Sequence, residues 1–341
     1  MRRGGDTRCV DGLQLFSVGE DVGQLPRENV LLFVGQLEMC ERGYALDVGD
    51  RQRSGHVMDG TTAKYHDSMS HVRRAAVAGT WYPDNPARLA GELDAHLARA
   101  DVSQDEPPRA IIAPHAGLMY SGPVAAYAYS AALSVRPHAI VLVGPSHFVP
   151  FSGVSIWSRG AWETPLGRVQ VDEDLARAMQ DASDTITEVE VAHTREHSLE
   201  MQLPFLAHLM PGVPIVPLVM GHQTRATAFA LGRAVVEAVR ATRKDVLLVA
   251  SSDLSHYEDA RVAAELDGVV LERVAAKDAA GLMAALEREP RHACGGGPMV
   301  TVLDAATRLG ASASRVLRYA DSGDVSGDKS SVVGYMAAAI W

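Results

Sequence analysis

AIVLVGPSH, Ala139–His147, is a continuous apolar run that stops at a turn and delivers a histidine. A run without polar alternation reads as a strand buried on both faces. Two other runs repeat the design: AIIAP (Ala110–Pro114) leads to His115, and DVLLVASSD (Asp245–Asp253) ends on Asp253 with His256 shortly after. VPIVPLVMG (Val213–Gly221) is a fourth run, and SVVGYMAAAI predicts a last strand. Helical stretches lie between and after them: PVAAYAYSAAL, ATAFALGRAVVEAVRAT, ARVAAELDGVVLERVAA and PMVTVLDAATRLG. This alternation predicts an α/β fold, a mostly parallel central sheet flanked by helices. Ligands of such sheets bind beyond the carboxyl ends of the strands.

Those ends carry the chemistry. One histidine after one strand is ordinary. Three strands delivering His115, His147 and the pair Asp253 and His256 to one edge point to a metal site. Gly117, Gly122 and Gly144 allow the close turns this needs. Neutral imidazole suits iron, copper, zinc or nickel, and a thiolate shifts the preference to softer ions. Cys294 stands in HACGGGPM before a helix expected near Pro298, where a helix N-terminus favours the thiolate. In AHTREHSLEMQLPFL, His193 and His197 are spaced to share one face of a helix, with Glu196 and Glu200 beside them. The pattern is not H-E-x-x-H, so these residues are expected to orient metal-bound imidazoles rather than ligate. The polar loop DSGDVSGDKSSVVGY, with Asp324 and Asp328, is expected at the pocket rim.

The bulk properties narrow the class. The chain has 341 residues, 47% hydrophobic and 22% charged, with a formal net charge of −10. No Lys/Arg block marks a nucleic-acid footprint. No apolar run approaches the ~18 residues of a membrane span, and MRRGGDTRCVDG has no apolar stretch behind its charges, so no secretory signal is read. The cysteines Cys9, Cys40 and Cys294 are too few for a disulfide framework. A reduced cytoplasm is the expected compartment. Residues 1–68 have short apolar runs but no sustained period. From Arg73 the texture changes to AAVAGTWYP and then DNPARLAGELDAHLARA, a helix capped by Asp84 or Asn85 with Pro86 in its first turn. Met69 is therefore expected to be the true start, with residues 1–68 a disordered extension or an upstream mis-translation, and 73–341 the domain.

From about Arg74 to Trp341 the motifs AGTWYP, APHAGLMYSG, GPSH, WETPLG, EHSLEMQLPFL, SSDLSHY, ACGGGP and SGDVSGDKS occur in the order seen in the MEMO family. The chain resembles that family, component B of the bacterial and archaeal AmmeMemoRadiSam system. The resemblance implies a fold like that of class III extradiol dioxygenases, which hold non-haem Fe(II) on two histidines and a glutamate. It implies a variant here with His115, His147 and Cys294 as metal ligands. Asp253, His256 and His197 would stand beside the metal as catalytic residues. Fe(II) is the first expectation for the ion, with copper or zinc as alternatives. The expected function is a metal-dependent, dioxygenase-like oxidoreductase acting on a small molecule or peptide, with the radical-SAM protein of the same system as a partner. The alternatives are a non-catalytic metal- or peptide-binding scaffold and a zinc-dependent hydrolase. No G-x-S-x-G elbow supports Ser146 as a nucleophile. Two departures bear on the pocket: Phe148 stands where many members carry a second histidine, and ACGGGP lacks the arginine often found after the CG.

Overall fold

Four continuous apolar runs become the centre of a nine-stranded sheet in the computed structural model, which describes residues 71–102 and 106–341. The expectations for residues 1–68 and for a start at Met69 lie outside the described residues. The strands are β1 (Val72–Arg73), β2 (Ala110–Ala113), β3 (Ala139–Pro145), β4 (Val154–Ile156), β5 (Ala161–Thr164), β6 (Gly167–Gln170), β7 (Ile186–Thr187), β8 (Ile215–Met220), β9 (Val246–Ser251), β10 (His256–Glu258), β11 (Ser314–Asp321) and β12 (Val332–Ile340). The large sheet runs β10-β12-β2-β9-β3-β8-β4-β7, with β11 on the other edge of β12. The centre, β2-β9-β3-β8, is parallel. The margins are not: β12 lies antiparallel to β2, pairing Ala338 with Ile112, and β4 lies antiparallel to β8.

Eight helices of seven residues or more are described: α1 (Pro86–Leu97), α2 (Leu118–Ala131), α3 (Glu173–Ala182), α4 (Leu203–Leu209), α5 (Arg225–Thr242), α6 (Ala260–Ala275), α7 (Ala279–Arg288) and α8 (Gly296–Arg308). They cover both faces. Ile140 and Leu142 pack with Leu89, Leu93, Tyr129 and Phe205 of α1, α2 and α4. Val141 and Val143, pointing the other way, pack with Met179, Leu231, Val270, Leu282 and Leu303 of α3 and α5 to α8. Burial on both faces is why these strands read as unbroken apolar runs. Each fully buried Leu or Ile contributes about 1.5–3 kcal/mol.

Several boundaries moved. Of the two candidate caps of α1, Asn85 serves, its side chain accepting from Arg88 N at 3.0 Å. The helix expected from Pro123 starts earlier, at Leu118, and carries Pro123 inside it. A second sheet of three strands, β1-β5-β6, places Trp162 at full burial. Among the described residues no helix is long and apolar enough to cross a membrane.

The AGTWYP segment is tied down by one carboxylate. Glu200, with no exposed surface, pairs with Arg73 and accepts from Ala76 N, Val77 N at 2.9 Å and the Tyr82 hydroxyl at 2.7 Å. A buried charge is tolerated only when partnered in this way. The result carries Trp81 onto the ring of His197, 4.4 Å between centroids.

Candidate metal centre

His115, His147 and Asp253 each stand two residues beyond the last residue of a strand, Ala113, Pro145 and Ser251. Those strands, β2, β3 and β9, are parallel neighbours with β9 in the middle. The three side chains therefore leave one sheet edge together. Asp253 Oδ1 accepts from His115 N at 2.7 Å and from Ala116 N at 3.3 Å, which fixes the turn carrying His115.

The proton of His115 can be placed. Its Nδ1 lies 2.9 Å from Ser251 Oγ. That hydroxyl is 2.6 Å from the Ser198 carbonyl, which can only accept, so its one proton goes there. Gln202 Nε2 donates to Ser251 Oγ at 2.7 Å. Ser251 is left as an acceptor toward Nδ1–H, and His115 Nε2 keeps its lone pair. Cys294 Sγ lies 3.2 Å from that Nε2.

His147 is held the same way by a different group. Glu196 Oε2 accepts from His147 N at 2.6 Å, and Oε1 meets His147 Nδ1 at 2.8 Å and Ser198 N at 2.9 Å. Nε2 of His147, like that of His115, is the nitrogen outside the anchoring bond. His115 is 1% exposed, whereas the His147 side chain keeps 26%, so solvent reaches the pair from the His147 side. Close approach matters here: a Cβ on Gly144 would stand 2.8 Å from Ser198 Oγ.

The third imidazole is His197. Ligand atoms of His115, His147 and His197 lie within 4.8 Å of one another, a spacing from which three histidines could hold an ion. His147 and His197 each meet His115 edge to face, at 5.2 Å and 75° and at 5.6 Å and 80°. His147 and His197 stack at 4.5 Å and 17°. His197 lacks the Nδ1 anchor that Ser251 and Glu196 give the other two. Its Nδ1 is buried without a hydrogen-bond partner, 3.6 Å from Glu196 Oε1.

Electrostatics follow from this crowding. Burial and then His147 hold His115 well below the usual imidazole range. His197 is held down to about 3 by burial and then His147. Burial would lower His147 too, but Cys294 and Glu196 outweigh it and raise it to about 10. Glu196 is kept far below the carboxylate range, because its bond to His147 overcomes the effect of burial. Burial pushes the Asp253 carboxyl and the Cys294 thiol up. The last is a correction. The helix N-terminus was expected to favour the thiolate, but burial of the sulfur outweighs that and works against the charge. His256 turns its Nδ1 to the Leu254 carbonyl at 2.8 Å, which leaves Nε2 as its acceptor.

His193 and His197 do not share a helix face. The helix there is a single turn, Val191–Thr194. His193 packs among Trp157 and Trp162 with Nε2 on Ser155 Oγ at 3.0 Å, away from the cluster. Asp324 is held by Lys329 at 2.6 Å, and Asp328 caps Ser330. Phe148 is 42% exposed, its ring 5.7 Å from that of His197. Sequence reasoning paired Glu196 with Glu200. Only Glu196 touches the cluster, and Ser251 and Gln202 were missed altogether. Their one signal was position, Ser251 at a strand end and Gln202 in the EHSLEMQ run.

The donor set fits a transition-metal ion. His115 and His147 have Nδ1 committed, which leaves Nε2 of each for an ion that displaces any proton there, and the Cys294 sulfur lies against His115 Nε2.

A model of the Memo-like protein family matches residues 73–339. MEMO1 family proteins of Sulfolobus acidocaldarius and Methanothermobacter thermautotrophicus are each 40% identical, over 279 and 272 residues, covering 78% and 77% of this chain and 98% of theirs. A solved structure of an uncharacterized protein from Escherichia coli K12 aligns with a TM-score of 0.46 at 17% identity, covering 67% of this chain and 98% of that one. The family match spans the strand ends, the EHS loop and the ACGGGP turn together, and on it the chain belongs to the Memo-like family.

Proposed function

We propose that this chain holds one transition-metal ion on His115, His147 and Cys294 and carries out redox chemistry on a small molecule there. The observation that carries the reading is the pairing of His115 Nε2 with Cys294 Sγ at 3.2 Å, edge to face with a His147 whose Nδ1 is committed to Glu196. Imidazole and thiolate together suit Fe(II), copper or zinc, and the expectation of Fe(II) first belongs to this proposal. Bound there, the ion would supply Lewis acidity and, if iron or copper, electron transfer. The residues do the rest. Glu196 and Ser251 hold the two imidazoles in the tautomer that offers Nε2. Asp253 fixes the His115 turn, and His256, with Nδ1 on the Leu254 carbonyl, takes or returns a proton at Nε2. His197 stands beside His147 as an acceptor for a ligand. A radical-SAM protein as partner is part of the same proposal.

Metal analysis after anaerobic reconstitution tests the reading. Stoichiometric iron in the parent, lost in His115→Ala, His147→Ala and Cys294→Ser but kept in His197→Ala, is expected. Loss in His197→Ala with retention in Cys294→Ser would replace the ligand set with three histidines. Stable uptake of zinc alone would turn the chemistry from oxidation to hydrolysis.

A further inference from the structure

Cys294 also belongs to the wall of a cavity of about 570 Å³, between the turn after β8 and helix α7. The volume is that of small-molecule sites, roughly 300–1,000 Å³. Met283 and Leu286 from α7, with Pro290 after it, give it an apolar side. Much of its polar side is held by bonds within the protein. Gln223 Nε2 donates to the Cys294 carbonyl at 2.6 Å, and its Oε1 accepts from Gly297 N at 2.7 Å. Arg225 and Glu287 pair with each other through two contacts, 3.0 and 2.6 Å. A charged ligand would have to draw Arg225 or Glu287 from its partner, and the Met283, Leu286 and Pro290 wall would return nothing for its lost hydration. A neutral molecule with an apolar body would only displace water from Met283, Leu286 and Pro290.

We infer that this cavity is a binding chamber for a small neutral molecule with an apolar body, presented to the centre from the Cys294 side. What the molecule meets there rests on the metal reading above. The chamber itself rests on its own walls, so the two can fail separately.

Cys294 reports on the chamber. Metal-free full-length protein is alkylated with N-phenylmaleimide, neutral and aromatic, and with iodoacetate, an anion. Peptide mapping by mass spectrometry separates Cys294 from Cys9 and Cys40, and glutathione at the same pH sets the intrinsic rates. Relative to glutathione, Cys294 is expected to favour N-phenylmaleimide by about tenfold or more, because the anion must be desolvated. Met283→Trp, which fills the chamber, should slow that reaction by a similar factor. Equal relative rates for the two reagents would overturn the inference, as would an unchanged N-phenylmaleimide rate in folded Met283→Trp. If Met283→Trp does not fold, Leu286→Ala opens the same wall: a faster reaction supports the chamber and an unchanged one refutes it. Zinc uptake by the parent is measured alongside. No uptake with the reagent preference intact would sink the metal reading and leave the chamber. Uptake without the preference would do the opposite.

Discussion

Glu196→Gln removes a charge and little volume, so its effect can be worked from the contacts. The carboxylate is fully buried and serves three donors: His147 N at 2.6 Å, His147 Nδ1 at 2.8 Å and Ser198 N at 2.9 Å. An amide has one acceptor oxygen and one NH₂ end. If the oxygen stays with the ring and Ser198, the NH₂ faces His147 N–H, and a buried donor is left unpaired at about 1–3 kcal/mol. If the amide flips, its NH₂ donates to His147 Nδ1, the ring proton moves to Nε2, and the lone pair meant for the ion is gone. Either way His147 is held less well as a ligand. Losing such an outer partner weakens metal binding by about 10–100-fold, which is about 1.4–2.8 kcal/mol. The assay is a Zn(II) titration in competition with a chromophoric chelator, with His147→Ala as the reference for full loss. A melting curve reports the separate cost to the fold. Affinity within about twofold of the parent, with His147→Ala greatly weakened, would refute the claim that Glu196 orients the ring.

Arg73→Ala leaves Glu200 charged and buried with only its neutral donors, and removing one partner of such a pair costs about 3–5 kcal/mol. A loss under about 1 kcal/mol in urea unfolding would show the pair to be dispensable. In Gly295→Ala the new Cβ would stand 2.5 Å from the Ser251 carbonyl oxygen and 2.7 Å from Ser252 Cβ. Overpacking of about 1–3 kcal/mol is expected, together with reduced metal uptake as the neighbouring Cys294 shifts. Normal stability and normal uptake would mean that the turn relaxes freely. Burial, and then Arg73, hold His193 down to about 3 from 6.5, so the folded state keeps it neutral where the unfolded chain binds a proton. Its contribution to stability is complete above about pH 6.5 and is lost as pH falls toward 3, at up to about 1.4 kcal/mol per pH unit. Urea unfolding between pH 7 and 4 measures this slope, and His193→Phe should flatten it by one proton. An unchanged slope would place the acid sensitivity elsewhere.

The strand ends were legible because a strand covered on both faces must be apolar throughout, and the residue after it must turn. His115, His147 and Asp253 followed from that alone. The margins were harder. In β11, SRVLRYAD, Arg315 and Arg318 interrupt the apolar residues, because an edge strand does not need a continuous run. The segments β4 to β7 are two to four residues long, too short for any period to register. Spacing misled at His193 and His197, since a four-residue interval implies a shared face only if a helix runs through it. The state of Cys294 was misjudged for another reason. Position before a helix is visible in sequence, but desolvation by a folded pocket is not, and here desolvation dominates.

The stretch Glu196–Gln202 reaches the anchors of both imidazoles. Glu196 holds His147. Ser198 gives its carbonyl to Ser251 and its hydroxyl to the Pro145 carbonyl at 2.8 Å. Gln202 donates to Ser251 and to the Pro114 carbonyl at 3.0 Å. Glu200 fastens the segment that brings Trp81 against His197. One irregular loop thus sets the tautomers of both imidazoles and also closes a buried ion pair needed by the fold. Local unfolding of this loop would release both histidines at once, so an ion bound to them should favour the folded state by RT ln(1 + [L]/Kd). Metal retention and thermal stability are then two readings of the same loop. Substitutions at Glu200, which touches neither imidazole, should weaken metal retention in proportion to the stability they remove.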